Sequence, residues 1–337
     1  MSLPELIAAL AQPEALGHPP GTRVEVVQTH ISVVFLVGDE VFKLKKPRSL
    51  EFLDYSTLER RRHFCDLEVA LNRRLAPDVY LRDLATGWTA YLRKPGRNHS
   101  PLTELSHDAW IKAYKPSPSH GNTVISYYEK GHYLGVCLDL ELRLRSAQHG
   151  QQGSLAGLFR RLMASHGARG KGLSQADIVA AASAESGEPM AEFFARHVDA
   201  TAELPLPELL ARIGVRVTSE AAGKSYSGLV LDPDRSARNI EPGSPAAAAG
   251  VMLGDEIVAV AGLRVRTGDE ALARLGERPP GERVELALFR RGRLEQRSLT
   301  LAADPHRSFR FELAPDAGLT PQTLGLRRAW LSGGAPP

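Results

Sequence analysis

The amino-acid sequence predicts an α+β protein of several domains, and three observations support this fold class. The chain has 337 residues, whereas a single domain commonly has about 100–200. Two β-rich runs lie near the start, at 23–37 and 40–46, and short strands return from about residue 215. Between them, residues 82–214 show mostly helical periodicity. An all-α middle domain is therefore expected between two β-containing parts.

The composition is that of an ordinary globular protein. Hydrophobic residues make up 43% of the chain and charged residues 24%, and the net charge is only +3. So small a charge does not indicate a nucleic-acid or membrane partner. Cys65 and Cys137 lie far apart, which favours a reducing compartment. The first residues lack a basic stretch, and no apolar run approaches about 18 residues. We therefore expect a cytoplasmic protein.

The first eighty residues contain signals for two helices and a hairpin. Residues 2–17 have the pattern of a short amphipathic helix. Gly38-Asp39 joins the two β-rich runs and predicts a hairpin. Ser56, with Glu59 three residues later, forms a capping-box pattern that predicts a helix start. Pro77 limits that helix.

Residues 29–47 and 53–81 resemble the N-lobe of aminoglycoside-phosphotransferase-like kinases. The resemblance implies that Lys43, or Lys45 on the same strand face, holds ATP phosphates and that Lys43 pairs with Glu68. ATP and Mg²⁺ would then be the cofactors. The C-lobe signature is absent, since the position five residues after Asp83 is Trp88 where a kinase has Asn. We predict an N-lobe fragment. The alternative is that the lysines only keep an edge strand soluble.

The middle of the chain contains seven candidate helices separated by Pro and Gly clusters. Ser174, followed by Asp177, is the predicted cap of the fifth. The candidates are 82–93, 103–114, 128–146, 154–166, 174–186, 189–197 and 206–213.

Residues 82–337 resemble the C-terminal half of the glycyl aminopeptidase family of zinc metallopeptidases. Several ordered motifs carry this resemblance: KPGR (94–97), DAWIKAYKP (108–116), ISYYEKG (125–131), LDLELRLRS (138–146), FFARHVDATAELPLPELLARIGV (193–215) and RRAWL (327–331). The resemblance implies that Tyr128, or alternatively Tyr127, donates a hydrogen bond to a transition-state oxyanion, and that the full family uses zinc. The alternative is that both tyrosines pack the start of a helix.

The sequence contains no zinc-binding motif of the family. None of the eleven histidines forms an HExxH pair, and the third-ligand segment is missing. His99, His107, His120 and His132 cluster in sequence but lack ligand spacing. We therefore predict no metal site and no cofactor within this chain, and a Tyr128 that is vestigial. The alternative is a zinc aminopeptidase that acts only with a catalytic half supplied by another chain.

Residues 215–303 resemble a PDZ domain of the protease-associated type. The carrying residues are 228–231 (GLVL) and 241–265, with the spacing GSPAxxAGxxxGDxI. The resemblance implies that Gly228, Leu229, Val230 and Leu231 bind a peptide C-terminus, which pairs as an added strand. A side chain at Gly228 would obstruct the carboxylate. The alternative is a module whose glycines only make turns, serving as a lid or spacer.

We thus predict four regions joined as a fusion or truncated protein: a kinase-like N-lobe fragment (1–80), a helical post-catalytic peptidase part (81–214), a PDZ domain (215–303) and a C-terminal extension (304–337). The predicted join lies near Tyr80–Asp83. The expected partners are peptide or protein C-termini.

Overall fold

The computed structural model describes residues 3–29, 31–38, 40–47, 49–50, 53–73, 77–112 and 114–332. It divides into two compact units, Met1–Val79 and Tyr80–Pro337. Helix α3 (Pro77–Leu92) spans residue 80 without a break, so the predicted join near Tyr80–Asp83 falls inside a helix.

The first unit is built around a three-stranded antiparallel sheet of order β1-β2-β3. Its elements are α1 (Leu3–Leu10), a 3₁₀ turn (Pro13–Leu16), β1 (Val24–Gln28), β2 (Ser32–Val37), β3 (Glu40–Lys45), β4 (Ser49–Leu50), β5 (Leu53–Asp54) and α2 (Leu58–Arg73).

Two sequence expectations for this unit need correction. The run 23–37 was expected to be one strand, but it forms two, because Thr29 and Ser32 close a turn through reciprocal backbone and side-chain hydrogen bonds. The helix α2 starts later than its predicted capping box. Thr57 Oγ1, not the Ser56 hydroxyl, accepts from the Arg60 N–H at 3.2 Å.

The two faces of this sheet differ in how far their side chains are exposed to solvent. Val33, Phe35 and Val37 of β2 are buried on one face. On the other face Val41 is 65% exposed and Val27 43% exposed. Exposed valine side chains on one sheet face are typical of a surface that another element covers.

The second unit begins with a helical part. Its elements are α3, a 3₁₀ turn (Pro95–Asn98), α4 (Leu102–His107), α5 (Ala109–Lys112), α6 (His120–Thr123), α7 (Tyr127–Gln148), α8 (Leu155–Ser165), a 3₁₀ turn (Gly167–Arg169), α9 (Gln175–Ser186), α10 (Ala191–His197) and α11 (Leu206–Arg212). The predicted helices are present in the structure, with one exception. The expected helix 103–114 is two helices that separate at Asp108, whose N–H closes α4 by donating to the Glu104 carbonyl.

The long helix α7 is the centre of the helical part. It packs against α4, α8, α9, α11 and the C-terminal helix α14 (Pro321–Leu331). Trp88 and Tyr91 of α3 stack with ring centroids 5.0 Å apart, and both contact the Tyr133 ring of α7. This apolar core contains side chains from the ISYYEKG, LDLELRLRS, FFARH and RRAWL segments.

A two-stranded ribbon completes the helical part. It consists of β6 (Val215–Ala221) and β15 (Arg307–Leu313), paired antiparallel along their whole length. Val215, Phe311 and Trp330 belong to the same buried core as α7. Residues 215–221 therefore pack with the helices, although the predicted PDZ range begins at 215.

The β module lies between the two strands of this ribbon in sequence. Its elements are β7 (Ser225–Tyr226), β8 (Leu229–Leu231), β9 (Ala237–Ile240), α12 (Pro245–Ala248), β10 (Glu256–Val260), β11 (Leu263–Arg264), α13 (Gly268–Gly276), β12 (Arg283–Arg290), β13 (Arg293–Thr300) and β14 (Ala302–Ala303). Four strands form a sheet of order β11-β10-β12-β13, and β8 pairs with β9. A separate core, including Ile257, Leu286 and Leu288, fills the module.

A buried ion pair fixes the turn before β10. Asp255 is 1% exposed and accepts two hydrogen bonds from Arg290, at 2.8 and 2.7 Å. The Met252 N–H donates a third, at 2.8 Å. Burial alone would raise the pKa of the Asp255 carboxyl, but the bonds from Arg290 and Met252 outweigh it and hold the pKa below its usual range. The Gly254-Asp255 turn is thus anchored to β12.

The β module also contacts the helical part through α6. The Asn122 side chain donates to the Ile240 carbonyl at 2.8 Å, and Asn239 donates to the Asn122 side chain at 2.9 Å. A side chain at Gly121 would lie about 3.1 Å from Asn239. The end of β9 therefore rests directly on the helix that precedes the ISYYEKG motif. Over the described ranges, no helix has the length and apolar character that crossing a bilayer requires.

The histidine of the FFARH motif should make stability depend on pH. His197 is 7% exposed and packs on the Phe193 ring at 5.0 Å. Burial lowers the pKa of its imidazole. The unfolded chain therefore binds more protons than the folded one below about pH 6.5. As the pH falls through this window, the wild type should lose stability relative to His197→Gln, measured by urea denaturation between pH 7.5 and 5.

The matched control is His132→Gln, which removes an exposed histidine from α7. A stability difference between the wild type and His197→Gln that stays constant from pH 7.5 to 5 would contradict this account of His197.

Candidate functional site

The ISYYEKG motif forms the first turn of α7. The helix begins at Tyr127, and Ser126 before it makes no side-chain cap. Tyr128 is 72% exposed, whereas Tyr127 is half-buried. The two rings lie 4.2 Å apart between centroids. The predicted oxyanion donor, Tyr128, therefore presents its phenol to solvent at a helix start, and its catalytic role stays a prediction.

Tyr127 and Tyr128 belong to a longer row of rings. The neighbouring hydroxyl of Tyr128, then burial, then the nearby Tyr114 raise the pKa of Tyr127 to about 12. Tyr114 in turn lies 5.4 Å from Trp110 between ring centroids. We call Trp110, Tyr114, Tyr127 and Tyr128 the aromatic row. Sequence reasoning missed it, although the i, i+4 spacing of Trp110 and Tyr114 within DAWIKAYKP was a usable signal.

The lysine of the same motif anchors the neighbouring KPGR segment. Lys130 has no solvent exposure, and its Nζ donates to the Arg97 carbonyl at 2.9 Å and the Ser100 carbonyl at 3.3 Å. Burial lowers the pKa of its ammonium group. Gly96 lies so close to the chain that a Cβ there would be 2.6 Å from the Val124 backbone. The KPGR turn and the start of α7 therefore hold each other in place.

Two surface ion pairs support this arrangement. Lys94 donates to Glu129 at 2.7 Å. Arg97 and Asn98 both donate to Glu203, at 2.8 and 3.0 Å. Glu203 belongs to the TAELPLPELL segment before α11, so three of the family motifs meet at one point of the structure.

The described residues of this chain do not fit a zinc ion. In the part of the chain that the structure describes, no three His, Cys, Asp or Glu side chains are grouped as metal ligands. The sequence has no HExxH pair, which supplies two ligands and the base in the family that the motifs resemble. We therefore derive no catalytic step through a metal in this chain.

The kinase-like residues lie in the first unit. Lys43 is exposed on β3, on the same face as Val34 and Lys45. Lys45 is 7% exposed, and its ammonium lies 5.1 Å from the centre of the Tyr55 ring, a cation–π distance. Glu68 belongs to α2, but its side chain lies outside the described residues, so the predicted Lys43–Glu68 pair stays a prediction.

The predicted peptide-binding strand, β8, is paired along one edge. Its partner is β9, and α13 lies beside it. The Gly228 carbonyl accepts from the Glu241 N–H and the Asp232 N–H donates to Ser236, both at 2.9 Å and both towards β9. Backbone groups alternate in direction along a strand. The backbone groups of Leu229 and Leu231 therefore point to the other edge, towards α13, where the Leu229 N–H already donates to the Ser227 hydroxyl at 3.3 Å.

Gly228 itself is required by packing. It has φ +74°, and a Cβ there would lie 2.0 Å from Ser244 Cβ and 3.2 Å from the Tyr226 hydroxyl. The space that a side chain would need is thus filled by the module's own residues, which is a different reason for glycine from the predicted approach of a carboxylate. Among the described residues, the Gly228 N–H has no hydrogen-bond acceptor.

A polar cluster that sequence reasoning missed lies beside Gly228. His306 Nδ1 is 2.8 Å from Asp304, and its Nε2 is 3.3 Å from Glu241. Burial, together with a hydrogen bond to Glu241, raises the pKa of Tyr226. These residues lie up to eighty positions apart in sequence, and only the pairing of β7 with β14 brings them together.

Comparison with known families identifies two regions. Residues 62–134 match the M61 glycyl aminopeptidase family, and residues 237–290 match the PDZ domain. The first match begins about twenty residues before the expected start near 82. It therefore enters the region expected to be kinase-like, and the resemblance of that region to kinases stays a prediction. The second contains β9 to β12 but not β8.

Among solved structures, the chain is similar to an aminopeptidase N family protein from Idiomarina loihiensis, with a TM-score of 0.64 and 24% identity. This similarity covers 75% of the present chain and 44% of that protein, and at this identity it concerns the fold alone. A serine endoprotease from Yersinia pestis is 25% identical over 23% of this chain and 29% of its own, with a TM-score of only 0.23.

Uncharacterized proteins from Mycobacterium tuberculosis and Mycobacterium bovis are 40% identical to this chain over 77 residues. The matched part is 23% of this chain and 14% of each mycobacterial protein, so the chain spans a small fraction of their length. Taken together, the matches make this a peptidase-like chain, similar to M61 glycyl aminopeptidases in its helical part and carrying a PDZ domain.

Gly228→Ala should destabilise the β module more than Gly243→Ala does. Both glycines have φ +74°, so both substitutions carry the left-handed penalty of about 1–2 kcal/mol. Only at Gly228 does the new methyl group meet a neighbour, since nothing lies within 4 Å of a Cβ at Gly243. Overpacking should add about 1–3 kcal/mol at Gly228. Urea denaturation of both variants measures this difference, and equal losses would contradict the packing account.

Proposed function

We propose that this chain is a peptidase-family protein whose PDZ domain binds the C-termini of peptides or proteins. The observation that carries this is the edge of β8 turned away from β9, where the Leu231 N–H and the Leu229 and Leu231 carbonyls face α13 without a strand partner among the described residues. An extended peptide pairs with such an edge as one more antiparallel strand. The PDZ match at residues 237–290 supports the same use.

The surroundings of β8 suit a peptide strand. Leu229 and Leu231 are buried in the module's core, which holds the strand rigid, and Val230 between them is half-buried. Gly268, at the start of α13, lies so close to β8 that a Cβ there would be 2.3 Å from the Asp232 carbonyl. The strand and the helix thus share a fixed contact at the Asp232 end. A rigid edge needs no further ordering of the strand when a peptide binds.

Peptide binding should protect one particular amide. Acetylated hexapeptides with free C-termini should slow hydrogen exchange at the Leu231 N–H about tenfold or more, because it gains an acceptor, whereas the Leu229 N–H already donates to the Ser227 hydroxyl. The Val230 N–H should change little, since it already faces β9, and it is the control within the same strand. The measurement is amide exchange by NMR, with the same peptides as C-terminal amides for comparison. Unchanged exchange at Leu231 with millimolar free-acid peptides would refute the proposal.

A second candidate is a zinc aminopeptidase completed by another polypeptide. The observation that favours it is Tyr128, whose phenol is 72% exposed at the start of α7, within the range that matches the M61 family. In that assembly the partner would bring the metal and the base, and Tyr128 would donate a hydrogen bond to the oxyanion.

This candidate predicts zinc retention after dialysis and hydrolysis of a glycyl-amide reporter only when a polypeptide carrying HExxH is added. Tyr128→Phe should then lower turnover about 100-fold. Absence of both zinc and turnover in the mixture would remove this candidate and leave the peptide-binding proposal untouched.

A further inference from the structure

The aromatic row is unusually exposed for its composition. Trp110 is 80% exposed, Tyr128 72% and Tyr114 64%, although tryptophan and tyrosine normally bury most of their surface. Trp110 pairs with Tyr114 and Tyr127 with Tyr128 through ring contacts, and Tyr114 is close enough to Tyr127 to raise its pKa, so the two pairs are neighbours on the surface. Contiguous exposed aromatic rings are typical of interaction sites, where they supply large contact area at low conformational cost.

A cavity adjoins this surface. Its volume is about 280 Å³, and it is lined by His99, Ile111, Lys112, Lys115, Ser117, His120, Thr123 and Val124. We call it the basic cavity. Two of its wall residues, Ile111 and Lys115, directly follow Trp110 and Tyr114 in sequence, so the cavity and the aromatic row are built on the same short segment.

The polar groups of the basic cavity favour an anion. The described residues that line it include no carboxylate. Lys112 is neutralised by Glu104 and by Asp108, the latter at 3.0 Å. Lys115, in contrast, makes no ion pair with any described residue.

His120 adds a second reason. Its Nδ1 atom is shielded from solvent and has no hydrogen-bond partner within the described protein. A buried polar atom without a partner costs free energy that a bound oxygen atom would recover. The Ser117 hydroxyl lies on the same wall. One carboxylate would thus find a cation and two further polar groups.

We propose that the aromatic row and the basic cavity form a second binding site, for an extended peptide segment in which a Glu or Asp side chain is flanked by aromatic residues. The carboxylate enters the basic cavity beside Lys115 and His120, and the flanking rings stack on the aromatic row. A peptide fits because the whole site lies within residues 62–134, the range that matches a peptidase family. The site is separate from β8, so it goes beyond PDZ binding and can fail independently of it.

The chain contains its own reporter for this site. Of its three tryptophans, Trp88 and Trp330 are 1% and 8% exposed, whereas Trp110 is 80% exposed. Ligand stacking on the aromatic row should therefore appear as a change in the emission of the accessible tryptophan.

The test titrates the full chain with acetyl-Phe-Glu-Phe-amide and acetyl-Phe-Gln-Phe-amide, whose blocked C-termini exclude carboxylate recognition at the PDZ domain. The Glu peptide should bind about tenfold more tightly than the Gln peptide. Lys115→Met should weaken the Glu peptide about tenfold and leave the Gln peptide unchanged, and Tyr128→Ala should weaken both. Lys171→Met, which removes an exposed lysine outside the cavity, is the control and should change nothing.

Several outcomes would overturn the proposal. They are no emission change with either peptide at millimolar concentration, equal affinities for Glu and Gln, or Glu-peptide affinity unaffected by Lys115→Met. Binding of adenosine monophosphate in preference to the Glu peptide would identify a nucleotide site instead. Concentration-dependent dimerisation that Tyr128→Ala abolishes, without peptide binding, would assign the surface to a second copy of the chain.

Discussion

The buried ammonium group of Lys130 is the interaction on which the peptidase-like segment depends. It satisfies the carbonyl oxygens of Arg97 and Ser100 from inside the core, where a cation without acceptors would cost several kcal/mol. The first turn of α7 can therefore hold its position only while the KPGR segment presents those carbonyls. Tyr127 and Tyr128 extend from that turn, and His99 lies between the two carbonyls on the cavity wall. The position of Tyr127 and Tyr128 therefore depends on the buried ammonium group of Lys130.

In the β module the corresponding constraint is a close approach of backbones. Gly228 and Gly268 each lie against atoms that leave no room for a methyl group. They fix β8 between β9 and α13 and so determine which backbone groups remain at its free edge. The Asp255–Arg290 pair fixes the adjoining turn through charge, and the Ala237 N–H of β9 donates to the Asp255 carbonyl at 2.8 Å. Rigidity at β8 is therefore a property of the whole module.

The sequence predicted the elements well where local signals were strong. The helix capped at Ser174 and the strands after Gly228 and Gly254 lie close to where the residues indicated. It did not predict the turn at Thr29–Ser32, because a hydroxyl closes that turn without Gly or Pro. It assigned β6 to the PDZ range because the partner strand of β6 is ninety residues away. The aromatic row and the basic cavity were missed for the same reason: their proximity arises from helix packing, which periodicity within one element does not report.

The β6–β15 ribbon has a further consequence for how this chain is organised. The β module leaves the helical part at the end of one strand and returns at the start of its antiparallel neighbour, where Ala221 and Arg307 face each other. It is therefore an insertion into a hairpin and not a tail. Its removal, with a tight turn joining the two strands, leaves every residue of the α7 core in sequence. A simple truncation after the PDZ domain would instead take away Phe311 and Trp330. In modular terms, the β module is the detachable part and the C-terminus is not.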